Sequence, residues 1–156
     1  MVTGPIQQPS TVFTAGRPPL ARQHRPTVLG DVHALARGLA ASMEEPRWRE
    51  RVKIQLDPLR QGFAEHVRVT EGPSGLYAEL LDQAPRLDRG VQLLTREHAL
   101  IAGAILALQH AAELPGVPAE ELCGRAVGLL KALSRHRQRG ADLLWEAYQA
   151  DLGGET

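Results

Sequence analysis

The stretch RLDRGVQLLTREHALIAGAILALQHAA, residues 86–112, carries Leu87, Val91, Leu94, His98, Ile101, Ile105, Leu108 and Ala112 at alternating steps of four and three. That spacing places them in one stripe along a helix, because side chains three and four apart share a face. The stripe is apolar except at its middle, where His98 stands. A titratable nitrogen in the buried face of a long amphipathic helix calls for a partner.

Working outward, three more segments show the same periodicity. Towards the N-terminus, Trp48, Val52, Leu56, Leu59, Phe63, His66 and Thr70 form a second stripe, ended by Gly72, Pro73 and Gly75. Pro58 lies inside it and predicts a kink or short break near Asp57, since proline lacks the amide hydrogen and crowds the preceding turn. A helix from Thr27 or Val28 to about Ser42 is expected to turn Leu29, His33, Ala36 and Ala40 inward, flanked by Val32, Leu35 and Leu39. A short helical turn is expected around residues 76–81, before Pro85. Beyond the LPGVP punctuation at residues 114–118, Leu122, Ala126, Leu129, Leu133, His136, Gly140, Leu143 and Ala147 make a fourth stripe, stopped by Gly153 and Gly154. Four helices, each with one apolar stripe and short connections, predict an all-α, antiparallel four-helix bundle over residues 27–153.

Composition agrees with that reading and narrows the function. Of the 156 residues 43% are hydrophobic but only 4% aromatic, which favours helix on helix over a sheet. Eighteen basic and eighteen acidic residues cancel, giving no electrostatic case for nucleic acid or an anionic membrane. One cysteine, Cys123, excludes an internal disulfide and a thiolate cluster and points to a reducing, cytoplasmic compartment. Residues 1–26 hold Pro5, Pro9, Pro18, Pro19 and Pro26 among polar residues. They read as an extended or disordered arm with no apolar run fit for a signal peptide or membrane span. His24 in that arm is expected to face solvent.

Four of the six histidines fall one per helix on or beside a core stripe: His33, His66, His98 and His136. Burying an imidazole without a partner costs on the order of 1–3 kcal/mol. A shared metal is one partner that serves all four, whereas His110 lies about 120° around its helix from His98 and is expected in water. Trp48 and Trp145 read as packing anchors, Tyr77 and Tyr148 as structural hydrogen-bond donors, and Arg135, Arg137 and Arg139 as surface charge. No phosphate loop, nucleophile elbow, HExxH or CxxCH occurs. A metal-dependent bundle, a metal-free interaction module acting through the arm or surface, and a haem held between two histidines all fit these residues.

The order of local motifs adds a resemblance. DVHALARGL, then FAEHVRVTEG, LYAELLDQAP, REHALIAGAI and RHRQRGADLLWEAY resemble, over residues 27–150, hemerythrin and the related HHE cation-binding proteins. The resemblance implies a four-helix bundle with non-haem iron, a di-iron pair as the first reading and a single ion as the other, that binds or activates O2, peroxide or NO and oxidises a small substrate. Manganese, zinc or no metal are the alternatives, and a homodimer is compatible with it. Carried over by position, His33, His66, His98 and His136 are the nitrogen ligands. The carboxylates depart from the pattern: Thr70 and Gly140 stand where the family has acids, so Glu71 and Asp142 are the candidate oxygen ligands. Reaching the metal from those displaced positions requires local distortion of the helices at Gly72 and near Gly140. The missing acid at Gly140 is read either as close helix–helix approach or as space for a ligand.

Overall fold

The computed structural model describes residues 28–152, with the side chains of residues 150–152 left aside. The expectations for the arm, for His24 and for the stop at Gly153 and Gly154 lie outside the described residues. The described chain is all-helical: α1 (Val28–Ala40), α2 (Trp48–Glu71), the short α3 (Leu76–Gln83), a 3-10 turn (Pro85–Leu87), α4 (Asp88–Glu113) and α5 (Ala119–Leu152). Each of α2, α4 and α5 buries the stripe that its spacing predicts. In α4 this covers Val91, Leu94, His98, Ile101, Ile105, Leu108 and Ala112. In α2 it covers Trp48, Val52, Leu56, Leu59, Phe63 and Thr70. Packing contacts link α1 to α2, α2 to α4, α4 to α5 and α5 back to α1, while α3 lies on α2. By length and composition alone residues 85–113 could cross a membrane. In this fold their helix packs on α2 and α5 and turns His98 inward.

Three expectations are corrected. The first helix has the expected period but another phase: its buried positions are Asp31 and Leu35, and Val28, Val32 and Leu39 pack against the core beside Leu35. Val28, Val32, Leu35 and Leu39 are themselves spaced four, three and four, and they carry more apolar surface than the expected set of one leucine, a histidine and two alanines. His33, about 100° beyond Val32, is therefore exposed. Second, α2 continues unbroken through Pro58. The carbonyl that loses its amide partner there belongs to Ile54, a residue 69% exposed, so water can take the bond. Third, Trp145 is no anchor at 64% exposure, whereas Trp48 is fully buried.

The core has two apolar parts. The larger runs through Leu35, Trp48, Leu56, Phe63, Ile101, Ile105, Leu122 and Leu133. The smaller joins Tyr77, Leu80, Leu87, Val91, Leu94 and Leu143. Along α4, His98 falls between Leu94 of one and Ile101 of the other; along α5, His136 falls between Leu133 and Leu143. A polar layer thus separates two hydrophobic ones.

The connections hold this layer in register. Arg49 at the start of α2 donates to the carbonyls of Ala112 (3.0 Å), Leu114 (2.9 Å) and Val117 (2.6 Å). It thereby ties the backbone oxygens where α4 ends to the start of α2, adding to the Val117 N–H bond that Leu114 already accepts. The α2–α3 turn needs glycine at Gly75, where a Cβ would stand 2.7 Å from the carbonyl oxygens of both Val69 and Thr70. That tight return brings Tyr77 back over the end of α2.

Candidate metal centre

The layer between the two cores consists of His66 from α2, His98 from α4 and His136 from α5. His98 and His136 are buried, 2% and 7% exposed, and His66 is half-buried. Their Nε2 atoms converge: His66 stands 3.2 Å from His98 and 3.4 Å from His136. One ring nitrogen of each lies within 4.8 Å of the other two, the arrangement expected of a metal-holding group. The Phe63 ring lies beside all three, its centroid 5.7 Å from His66 and His98 and 6.3 Å from His136.

The outer nitrogens explain why the inner ones face each other. His98 Nδ1 lies 2.6 Å from Glu71 Oε1, and His136 Nδ1 lies 2.7 Å from Glu97 Oε2. An ionised carboxylate only accepts, so each Nδ1 carries the hydrogen and donates it. The Nε2 atoms of His98 and His136 therefore present lone pairs to the interior. His66 has a single Nε2 hydrogen to offer to the two lone pairs, and the Tyr77 hydroxyl, 3.4 Å from His98 Nε2, is the other donor within reach. An oriented set of lone pairs with carboxylates behind the rings is how proteins prepare imidazoles for a cation. A metal–nitrogen distance of about 2.0–2.1 Å and tetrahedral angles require donor atoms about 3.3 Å apart, which the two distances from His66 match, with the His98–His136 pair within 4.8 Å. By that test the residues fit one metal ion.

Burial sets the electrostatics. Desolvation pushes all three imidazoles towards the neutral form that ligation needs. His66 falls to about 4, through burial first and then through the neighbouring charges of His98 and His136, against the opposing pull of Glu71. For His98 the Glu71 hydrogen bond works against desolvation. Tyr77 stacks on His98, with centroids 5.7 Å apart and planes at 11°, and its hydroxyl lies 3.4 Å from His98 Nε2. Burial pushes that phenol up to about 12, partly offset by a hydrogen bond with Thr70, so it stays protonated at neutral pH.

These shifts have a sign. The unfolded chain titrates these three histidines near 6.5, above their folded values, so as pH falls below about 6.5 it binds more protons than the native state, at His66 down to about 4, and gains from acid. The metal-free protein is expected to keep its stability above pH 6.5 and to lose about 5 °C or more of melting temperature on acidification to pH 4.5. Thermal melts across that range check it, and a flat profile would remove the buried neutral cluster.

Of the six expected site residues, the structure brings four together: His66, His98 and His136 as the inner set, with Glu71 behind His98. His33 is exposed on α1 and contributes nothing to the three-nitrogen cluster. Asp142 is exposed on α5, its carboxylate taken by the Gln138 side chain at 2.9 Å. The reason is angular, since Asp142 lies about 120° around the helix from His136. The anticipated helix distortions are absent: α2 stays helical to Glu71 and α5 runs through Gly140. Glu71, the last helical residue, instead reaches the outer nitrogen of a histidine on the neighbouring helix. At Gly140 a Cβ would meet nothing within 4 Å, so no helix approaches it closely. Thr70 bonds the carbonyls of His66 (2.8 Å) and Val67 (3.2 Å) on its own helix.

Two participants were not picked out from the sequence. Glu97 precedes His98 but lies about 100° off its stripe, which directs it to His136 on α5. It is 12% exposed, and its second oxygen pairs with Arg139, one of the arginines read as plain surface charge. The REH triplet was the available signal, read for its histidine alone. The other is Tyr77, expected as a structural hydrogen-bond donor and found stacked on His98. Glu71→Gln and Glu97→Gln are expected to weaken metal affinity about 10–100-fold each without unfolding the chain, and Asp142→Asn to leave it unchanged. Metal titrations of the three variants decide this, and an effect confined to Asp142→Asn would reverse the assignment. No protein-family model, curated protein or solved structure matches this chain, so the geometry and the residue pattern carry the functional argument.

Proposed function

We propose that the chain is a hemerythrin-like, antiparallel four-helix bundle holding one non-haem iron ion on His66, His98 and His136, at which O2, peroxide or NO binds or is activated. The single observation that supports it is the convergence of three Nε2 atoms at 3.2 and 3.4 Å with two of the opposite nitrogens bonded to Glu71 and Glu97. The order of motifs along the helices points to iron. The surroundings favour one ion over two: Glu71 and Glu97 are engaged by imidazoles, and Asp142 and His33 face solvent. A second ion within about 4 Å would need anionic bridges that these residues do not offer.

The charges also suit a single ion. Three neutral imidazoles leave a divalent ion at +2, and Glu71 and Glu97, one ring away, offset it. Three protein nitrogens leave a coordination position for an exogenous ligand. Iron there would supply the ability to bind and reduce small oxygen or nitrogen species. The chain's own residues orient His98 and His136 through the two glutamates, set the Phe63 ring beside all three imidazoles, and hold the Tyr77 hydroxyl 3.4 Å from His98 Nε2.

The near-tetrahedral spacing supports a second reading, zinc with a bound water, on the same three histidines. Metal analysis of protein purified without an affinity tag, with its ultraviolet–visible spectrum before and after NO addition, separates the two. About one iron per chain and an NO-dependent absorption change are expected. One zinc and a silent spectrum would select the second reading. A Soret band, or protein that takes up no ion when offered iron or zinc, would defeat both.

A further inference from the structure

The same histidines form one end of a cleft. A cavity of ≈ 290 Å³ lies between α1, α2 and α5, and His66 and His136 line it together with Phe63. Its walls are apolar: Val28 and Val32 on α1, Leu133 on α5. Among the described residues its only formally charged lining residue is Arg137, accompanied by His33 and Ser134, all three exposed. This opening follows from the phase of α1, which turns Val32 and not His33 towards the core. The histidine expected to ligate instead stands where a bound molecule would enter.

Charge selects the occupant. Among the described residues no carboxylate lines the cleft and Arg137 makes no ion pair, unlike Arg139 two positions on, which pairs with Glu97. An anionic group would find in Arg137 a planar donor suited to two-point binding of a carboxylate. The cavity sits at the lower end of the roughly 300–1,000 Å³ typical of small-molecule sites, and its walls favour a hydrocarbon body. We propose that this cleft binds a small monocarboxylate with an apolar body, its carboxylate on Arg137 and its apolar end against Phe63, beside His66 and His136. The inference rests on the metal reading only for what the apolar end is presented to; cleft and arginine stand without an ion. A molecule bound this way would bring a C–H end, not its carboxylate, to the centre.

The test uses the full chain, isotope-labelled, metal-free and zinc-loaded, titrated with hexanoate and followed by amide NMR shifts. Saturable shifts centred on Val32, Leu133 and Ser134 are expected in both forms, with hexanamide and hexylammonium at least about tenfold weaker. Arg137→Gln should weaken hexanoate about tenfold, and Leu29→Trp at the cleft wall should exclude it, both with metal stoichiometry unchanged. Undiminished binding to Arg137→Gln, shifts centred elsewhere, no saturation, or contacts from residues 1–27 filling the cleft would each overturn the proposal. Arg137-dependent binding by protein that takes up no ion would fail the metal reading alone. Metal uptake without hexanoate binding would fail this inference alone.

Discussion

His98→Ala is expected to reduce bound metal from about one ion per chain to a small fraction of that, while the chain stays folded. His98 lies at the centre of the layer, with Nε2 3.2 Å from His66, Nδ1 on Glu71 and its ring stacked on Tyr77. Removing it deletes one of three nitrogens and frees the carboxylate that orients it. Loss of a glutamate behind a ligand costs about 10–100-fold in affinity, so loss of the ligand itself must cost more. The fold should persist, because the larger apolar cluster, from Leu35 through Ile105 to Leu133, does not depend on this residue. The cavity left by the imidazole should cost a few kcal/mol at most. Elemental analysis alongside circular dichroism reads both quantities. A folded His98→Ala protein with full metal content would place the metal somewhere other than the three histidines.

Metal loading is expected to raise the melting temperature by about 10 °C over the metal-free protein. A ligand bound only by the native state, at about 100 times its dissociation constant, adds roughly 2.7 kcal/mol, and one kcal/mol moves the midpoint of a domain this size by about 4 °C. The three nitrogens come from α2, α4 and α5, so the unfolded chain has no comparable site and nearly the whole binding energy appears as stability. The increment should persist below pH 6.5, because protons taken up by the unfolded chain lower metal-free and metal-bound stability alike, and should shrink as pH nears about 4, where folded His66 takes up a proton. Its disappearance in His98→Ala would tie the two measurements to one site. An unchanged midpoint in a sample with full stoichiometric uptake would mean that the ion sits on the surface.

Much of this arrangement was legible in the sequence. The steps of four and three identified the buried faces of α2, α4 and α5, and with them the inward placement of His66, His98 and His136, because in an amphipathic helix periodicity and burial are the same fact seen twice. Those three helices are long and their stripes hold large apolar side chains, which makes the phase unambiguous. The first helix is short and rich in alanine, and of its two candidate phases the one with Val28, Val32, Leu35 and Leu39 inside carries the more apolar surface. Contact with α2 chose the one with Val32 and Leu35 inside, and that choice moved His33 out of the site and opened the cleft beside Arg137.

The carboxylates escaped a one-helix argument for a related reason. Periodicity asks which residues share a face with the histidine on the same helix, and by that rule Glu71 and Glu97 are both misplaced. Each serves a histidine on another helix: Glu71 of α2 reaches His98 of α4, and Glu97 of α4 reaches His136 of α5. Which side chains meet across a helix–helix boundary depends on crossing, register and the exit of the α2–α3 turn, none of which is written in the spacing of a single segment. The identity of the nitrogen donors was thus a property of each helix alone, whereas their orientation, and the opening that leads to them, exist only once the helices are packed.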